Sequence, residues 1–149
     1  MSDPRELYQQ VILEHNKKPR NFGKLDPCSH QAHGLNPLCG DDIEVTLVVE
    51  DGIVQEIRFQ GHGCAISQAS SSLMTVNVKG KTLQEAEAMA LQFRDMIRGT
   101  LDPSKDPHDL GRLTLFQGVK DLPSRVKCAV LPWATLQAAL KGDASVSTE

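Results

Sequence analysis

Three cysteines and one aspartate stand in sequence settings that suit metal binding or sulfur chemistry. They are Cys39, Asp41, Cys64 and Cys128, and each lies beside a glycine or close to a proline or a cation. Thiolates and carboxylates are ligands of zinc, and thiolates also hold the irons of iron–sulfur clusters. We therefore expect these four side chains to meet around one metal ion, with zinc or clustered iron as the alternatives.

The surroundings of these residues are stronger evidence than their spacing. The chain contains no Cys-x-x-Cys pair, which excludes zinc-finger and thioredoxin-type motifs. Gly40 would let Cys39 and Asp41 aim at a common point, because glycine adopts backbone conformations that other residues avoid. The alternative interpretation is that the three cysteines are separate structural residues, each buried as a small apolar side chain.

Cys39 is the residue that we expect to act as a sulfur nucleophile. A carboxylate is the least thiophilic of the four expected ligands, so this shell is held less firmly than four thiolates would be. The Gly-Asp loop of Cys39 is freer to move than the start of a helix, where Cys64 is expected to lie. A helix start also favours a thiolate at Cys64 through the helix dipole.

An alternating strand pattern positions the first three of these residues. Apolar side chains at 43, 45, 47 and 49 alternate with polar ones, and the Asp-Gly pair at 51–52 is a strong hairpin signal. The returning strand carries apolar residues at 53, 57 and 59. Because the two ends of a hairpin lie together, Cys39 and Asp41 should approach Cys64 at its open end.

Helical patterns surround this hairpin. Asp3 and Pro4 predict the start of a first helix that stops before Pro19. A second helix should follow Cys64, and Thr82 opens a third with a capping box. A last helical segment spans residues 123–142, and Pro132 within it should kink the helix or start a new one. Residues 31–35 could form a short edge strand.

Length and composition predict one domain. The chain has 149 residues, so we expect a single domain over 1–142, an inserted loop at about 101–118 and a flexible tail at 143–149. A net charge of −3, only 4% aromatic residues and the lack of a basic run argue against nucleic-acid binding. No membrane span or signal peptide is apparent, so we expect a cytoplasmic protein, where thiols stay reduced.

Other potential ligands have simpler interpretations. Cys28 lies away from the glycine-rich and cationic segments, and we expect it to be a bystander thiol. His33 lies in the predicted strand at 31–35 and His30 directly before it, and both are expected on one side of a strand, either as a metal-binding pair or as solvated surface residues. Arg125 and Lys127 flank Cys128 and are expected either to support negative sulfur species or to be solvated at a helix start.

Several motifs together resemble the NifU/IscU/SufU family of iron–sulfur cluster assembly proteins. The segments that carry the resemblance are NPLCGD at 36–41, GHGCAISQAS at 61–70, RVKCA at 125–129, and LEH at 13–15 with PRN at 19–21. The resemblance extends to about residue 142. It is closest to the SufU-like branch, which has a lysine before the third cysteine and an insertion before it; Lys127 and residues 101–118 match these features.

This resemblance implies a small α+β fold, with a three-stranded, mainly antiparallel sheet covered by helices on one side. It implies zinc bound by Cys39, Asp41, Cys64 and Cys128, with Cys39 accepting a persulfide from a pyridoxal-phosphate cysteine desulfurase of the SufS type. The resemblance also implies that iron–sulfur scaffolds or apo-proteins accept the sulfur from Cys39. Such a protein is a sulfurtransferase-like carrier that activates the desulfurase.

Two other functions remain open at this stage. One is a scaffold that assembles and passes on a labile [2Fe–2S] cluster bound by Cys39, Cys64 and Cys128 together with Asp41. The other is an interaction module that zinc merely stabilises. The three hypotheses share one site, so its geometry is the first structural question.

Overall fold

The alternating residues form the predicted hairpin. The computed structural model describes residues 4–147, in which strands β2 (Asp41–Glu50) and β3 (Ile53–His62) pair antiparallel. Val45 lies opposite Phe59, and both side chains are buried. Asp42 lies opposite His62, so the end of β3 and the following Cys64 lie beside the start of β2, as predicted.

The sheet has four strands in the order β3-β2-β1-β4, which corrects the expectation of three. Strand β1 (His30–Asn36) pairs antiparallel with β2, and the short strand β4 (Ser145–Ser147) pairs with β1 in parallel. The fourth strand moves β1 from the expected edge to the interior of the sheet. It also places residues 145–147, part of the expected flexible tail, in regular structure.

Helices cover one face of this sheet. Their bounds are α1 (Pro4–Lys17), α2 (Ala65–Val78), α3 (Leu83–Arg98) and α4 (Pro123–Lys141). Helices α2 and α4 pack against the strands, α1 packs on α2, and α3 packs on α4. The expected capping role of Asp3 lies outside the described residues. None of the helices within residues 4–147 is both long and apolar enough to cross a membrane.

The predicted capping box at the start of α3 is present. The Thr82 side chain accepts a hydrogen bond from the backbone of Glu85, whose carboxylate accepts one from the backbone of Thr82. Helix α3 ends at Gly99, which adopts the left-handed conformation at φ 85°. These local interactions hold α3 in the place that the sequence predicts.

Helix α4 passes through Pro132 without a break, so of the two expected outcomes, a kink or the start of a new helix, the second is wrong. Proline cannot donate the helical hydrogen bond to the carbonyl four residues earlier, which here belongs to Cys128. Pro132 is buried, as are most of its neighbours in the helix, including Leu131 and Trp133. Burial of this apolar face outweighs one missing backbone hydrogen bond.

The contact between β1 and α4 has no room for a side chain at Gly34. A Cβ at this position would lie 1.9 Å from Oγ1 of Thr135 and 3.1 Å from Leu131. Glycine therefore lets α4 settle directly on the strand. This contact sets the distance between the start of α4 and the end of β1.

The insertion is more ordered than a loop. Its second half forms a 3-10 helix (Gly111–Asp121) whose Leu113, Phe116 and Val119 are fully buried. These residues recur at every third position, which matches the three residues per turn of a 3-10 helix. Phe116 contacts the ring of Phe93 in α3 edge-on, with ring centroids 5.6 Å apart. The insertion is thus anchored in the core.

The serine-rich face of α2 is buried and hydrogen-bonded. His15 of α1 is buried, and its Nδ1 lies 2.6 Å from the hydroxyl of Ser72. The same hydroxyl oxygen accepts a hydrogen bond from the backbone N–H of Arg20 at 2.8 Å. Burial lowers the pKa of His15, and the positive charge of Arg20 lowers it further. This pair joins α1 to α2.

Acid should weaken the fold through His15. Its folded-state pKa lies below the ordinary value of 6.5, so the unfolded chain binds a proton that the folded chain does not between these two values. Stability should therefore fall as the pH drops below about 6.5. We expect urea unfolding to show a smaller loss between pH 7 and pH 5 for His15→Gln than for the wild type. The exposed His62→Gln variant should retain the wild-type loss, and equal losses in all three would contradict the assignment.

Candidate metal centre

The turn between β1 and β2 carries the most accessible thiol. Residues 37–40 link Asn36 to Asp41, which pair directly across the two strands. Within this turn the backbone N–H of Cys39 donates to the carbonyl of Asn36 at 3.3 Å, and Gly40 has a left-handed φ of 73°. Cys39 is exposed and Asp41 is buried, so the turn directs the thiol of Cys39 to solvent and the carboxylate of Asp41 to the protein interior.

Three of the four predicted ligands converge. One ligand atom from each of Cys39, Asp41 and Cys128 lies within 4.8 Å of the other two. Ligand atoms around a tetrahedral zinc ion lie roughly 3.5–4 Å apart, given zinc–sulfur bonds of about 2.3 Å. The Cys64 thiol does not belong to this group of three. It interacts electrostatically with the Cys128 thiol, which places it at the border of the site.

Hydrogen bonds fix the buried carboxylate of Asp41. Its Oδ1 accepts from the backbone N–H of Cys64 at 2.8 Å, and its Oδ2 accepts from the side-chain amide of Asn36 at 3.2 Å. These bonds give both carboxylate oxygens a hydrogen-bond partner inside the protein, where an unpaired polar group would be costly. Asp41 thereby ties the turn before β2 to the loop after β3.

Cys64 is the residue before the first turn of α2, as predicted. Its sulfur accepts a hydrogen bond from the backbone N–H of Ser67 at 3.4 Å, so a thiol takes the place that serine or aspartate usually fills. The preceding Gly63 has no space for a side chain, since a Cβ there would lie 2.6 Å from Oδ1 of Asp41. Close approach of the backbone is what lets Cys64 reach this site.

Cys128 is the buried thiol of the group. Burial raises its pKa well above the ordinary range, and its contacts with Cys39, Asp41 and Cys64 raise the pKa further. The thiols of Cys39 and Cys128 each lie 3.9 Å from the same carbonyl oxygen, that of Ser124. Without a cation Cys128 keeps its proton. A metal ion would supply the charge that a cluster of thiolates and a carboxylate needs.

Asn36 is a site residue that the sequence did not single out for a role. It is fully buried, and its amide nitrogen faces both Asp41 and the sulfur of Cys128, the latter at 3.6 Å. A polar residue at the buried end of a strand, three positions before Cys39, was the available signal. Asn36 thus orients two proposed ligands that are far apart in sequence, Asp41 and Cys128.

The two cations beside Cys128 occupy different surroundings. The pKa of the exposed Arg125 is raised, first by its interaction with the Cys128 side chain and then by the electrostatic influence of Cys64, Cys128 and Cys39. Lys127 instead lines a cleft between α3, α4 and β4. Arg125 is therefore the cation that interacts with the side chains of Cys39, Cys64 and Cys128.

The remaining candidates lie outside the group of three ligands. Cys28 contacts Oε1 of Gln31 at 3.3 Å. His30 and His33 are three positions apart on β1, so their side chains point to opposite faces, and the expectation of one shared side is wrong. His33 instead contacts the carboxylate of Asp42 on the solvent-facing side of the sheet.

Comparison with known proteins identifies the family of this chain. The model of the NifU-like N-terminal domain family matches residues 7–141. The chain belongs to this family. Among its NifU-like relatives is the zinc-dependent sulfurtransferase SufU of Bacillus subtilis, 44% identical over 131 residues, which cover 88% of this chain and 87% of that protein.

Two further relatives span nearly the whole NifU-like chain. The iron–sulfur cluster assembly scaffold protein IscU of Streptococcus pyogenes is 40% identical over 146 residues, covering 97% of this chain and 89% of that protein. The crystal structure of FiSufU from Fervidobacterium islandicum superposes with a TM-score of 0.81 at 35% identity, covering 91% of this chain and 98% of that one. The predicted family and its α+β fold are confirmed.

Metal affinity should depend on the absence of a side chain at Gly63. Gly63→Ala should displace the Asp41 carboxylate and lower metal affinity by roughly tenfold or more, as loss of groups that orient ligands does. Competition against a chromophoric chelator measures this affinity. Gly118→Ala is the matched control, because a Cβ at Gly118 meets no atom within 4 Å. Equal affinities in the two variants would contradict the role of Gly63.

Proposed function

We propose that this chain is an iron–sulfur cluster assembly protein that binds zinc and carries sulfane sulfur on Cys39. The observation that carries the proposal is the convergence of the exposed Cys39 thiol with two buried ligands, Asp41 and Cys128. The similarity to a relative named zinc-dependent sulfurtransferase gives further support. A site with one accessible thiol and two interior ligands suits a carrier that exchanges a small group with other proteins.

The donor set fits zinc. Cys39, Asp41 and Cys128 would hold it, and Cys64, which borders the site, is the proposed fourth ligand. When bound, zinc supplies positive charge that keeps the sulfur ligands deprotonated at neutral pH. The raised pKa of Cys128 in the absence of metal is the feature of this site that such a charge would offset. Asn36 and the backbone N–H of Cys64 orient Asp41.

Cys39 is the proposed sulfur acceptor, because it is exposed in a turn while Cys128 is fully buried. Its thiolate would attack the terminal sulfur of a persulfide on the donor enzyme. A new sulfur–sulfur bond forms at Cys39, the donor's sulfur–sulfur bond breaks, and the electron pair leaves with the donor thiolate. No net oxidation occurs, so no further reactant is needed.

The proposed donor is a pyridoxal-phosphate cysteine desulfurase of the SufS type. The guanidinium of Arg125 interacts electrostatically with Cys128 and, as a smaller effect, with Cys39, and in this proposal it stabilises negative sulfur species there. Scaffolds or apo-proteins would then receive the sulfur for cluster assembly. A cytoplasmic location agrees with this chemistry, because reactive thiols persist where the compartment is reducing.

Persulfide mapping tests this function. Purified protein is incubated with a cysteine desulfurase and cysteine, and the sulfur-bearing residue is found by mass spectrometry. We expect a persulfide on Cys39, faster cysteine turnover by the desulfurase, and loss of both in Cys39→Ser. Cys28→Ser is the matched control, because Cys28 lies outside the site, and it should keep both. If sulfur is absent from Cys39 and turnover is unchanged, the carrier function is wrong.

A second candidate is a scaffold for a labile [2Fe–2S] cluster. The same Cys39, Asp41 and Cys128 donors can hold iron, and relatives named IscU scaffold proteins resemble this chain over nearly its full length. Anaerobic reconstitution with iron and sulfide, followed by transfer to an apo-ferredoxin, tests it. Cluster formation and transfer in zinc-free protein would favour the scaffold. Failure to pass on a cluster, combined with persulfide on Cys39, would favour the carrier.

A further inference from the structure

A cleft with a volume of about 340 Å³ lies between α3, α4 and β4, on another part of the surface from the exposed Cys39. Three cations line it: Arg94 and Arg98 from the last turns of α3, and Lys127 from the first turns of α4. Within residues 4–147, no aspartate or glutamate lines the cleft. The cleft is therefore a concentration of positive charge on a chain whose net charge is −3.

The floor of this cationic cleft is apolar. Val126, Val130 and Ala134 recur every four residues along one side of α4, and Val146 of β4 completes the floor. Side chains at this spacing lie above one another on a helix. An apolar strip thus runs along α4 with cations at its margin. A ligand that used both features would carry negative charge and apolar groups together.

The cations are available to such a ligand. Arg98 and Lys127 form no ion pair within residues 4–147. Arg94 pairs only with its neighbour in sequence, Asp95, at 3.3 Å, and both side chains are partly exposed. An ion pair of that kind contributes little and is readily exchanged for another partner.

We propose that this cleft is a docking site for an acidic segment of a partner protein, with acidic side chains on the cations and apolar side chains on the floor. Charge complementarity selects a negative ligand, and the apolar strip selects a segment over a simple anion. The lining residues include no aromatic side chain, so a nucleic acid would find no surface for base stacking.

Docking here goes beyond the proposed sulfur chemistry and does not require it. Lys127 belongs to the cleft, and the next residue, Cys128, belongs to the metal centre. Helix α4 therefore carries the docking surface on one side and a ligand on another. Cys39 is not among the described residues that line the cleft, so a partner bound there need not contact it.

A short peptide tests the docking site. The probe is a capped, fluorescein-labelled peptide in which glutamate alternates with leucine, and its anisotropy is followed with zinc-loaded, full-length protein. We expect saturable binding that weakens as salt rises, because exposed charges are screened. The double variant Arg94→Gln/Arg98→Gln should bind roughly tenfold more weakly, since each exposed charge contact contributes a few-fold. Its melting temperature and metal content should match the wild type.

Controls separate this site from nonspecific attraction. Lys105→Gln/Arg112→Gln removes two exposed cations outside the cleft and should change the affinity less than twofold. A peptide with glutamine in place of glutamate should not bind. Equal binding by the two double variants, or by the two peptides, would overturn the proposal. Displacement of the peptide by an equal concentration of inorganic phosphate would also overturn it, because the cleft would then be a simple anion site.

Discussion

The close contact of α4 with β1 at Gly34 is the constraint on which the metal centre depends. Cys128 lies near the start of α4, whereas Asn36 and Asp41 lie at adjoining ends of β1 and β2. A side chain at Gly34 would collide with Thr135 and lift the helix from the strand. The amide of Asn36 can face both Asp41 and Cys128 only because the helix rests directly on the strand. The close packing at Gly34 thus allows Asp41 and Cys128, which are far apart in sequence, to lie beside the same Asn36 side chain.

Much of the fold follows from local patterns. The alternation over residues 43–59 predicts the β2–β3 hairpin, and Thr82 with Glu85 predicts the start of α3; both are present. The hairpin also accounts for the approach of Asp41 to the backbone of Cys64. The position of Cys128 has a different origin, because it depends on how α4 packs on the sheet. Its neighbouring cations indicated a role, but its distance from Asp41 could not be read from spacing.

The features that differ from expectation arise from long-range packing or from a less common period. The buried residues of the 3-10 helix recur every three positions, a period that fits neither an α-helix nor a strand, so the prolines and the glycine of this segment favoured a loop. Strand β4 is three residues long, and its mostly polar sequence carries no strand pattern. It is a strand because it pairs with β1. Ser70 and Ser72 of α2 resemble a solvated face until α4, His15 and Arg20 provide their hydrogen-bond partners.

Pro132 removes one backbone hydrogen bond from α4. Because proline has no N–H, the carbonyl of Cys128 receives no helical hydrogen bond from position 132, and the turn that bears this thiol has one backbone hydrogen bond fewer to the rest of the helix. Beyond Pro132 the helix packs on α3 through Trp133, whose ring stacks on that of Phe93 with centroids 5.0 Å apart. The half of α4 beyond Pro132 is therefore held by ring packing in the core, whereas the turn that bears Cys128 keeps a carbonyl without its helical donor. In the proposed sulfur carrier, a ligand on this turn would have fewer backbone restraints than one in an uninterrupted helix.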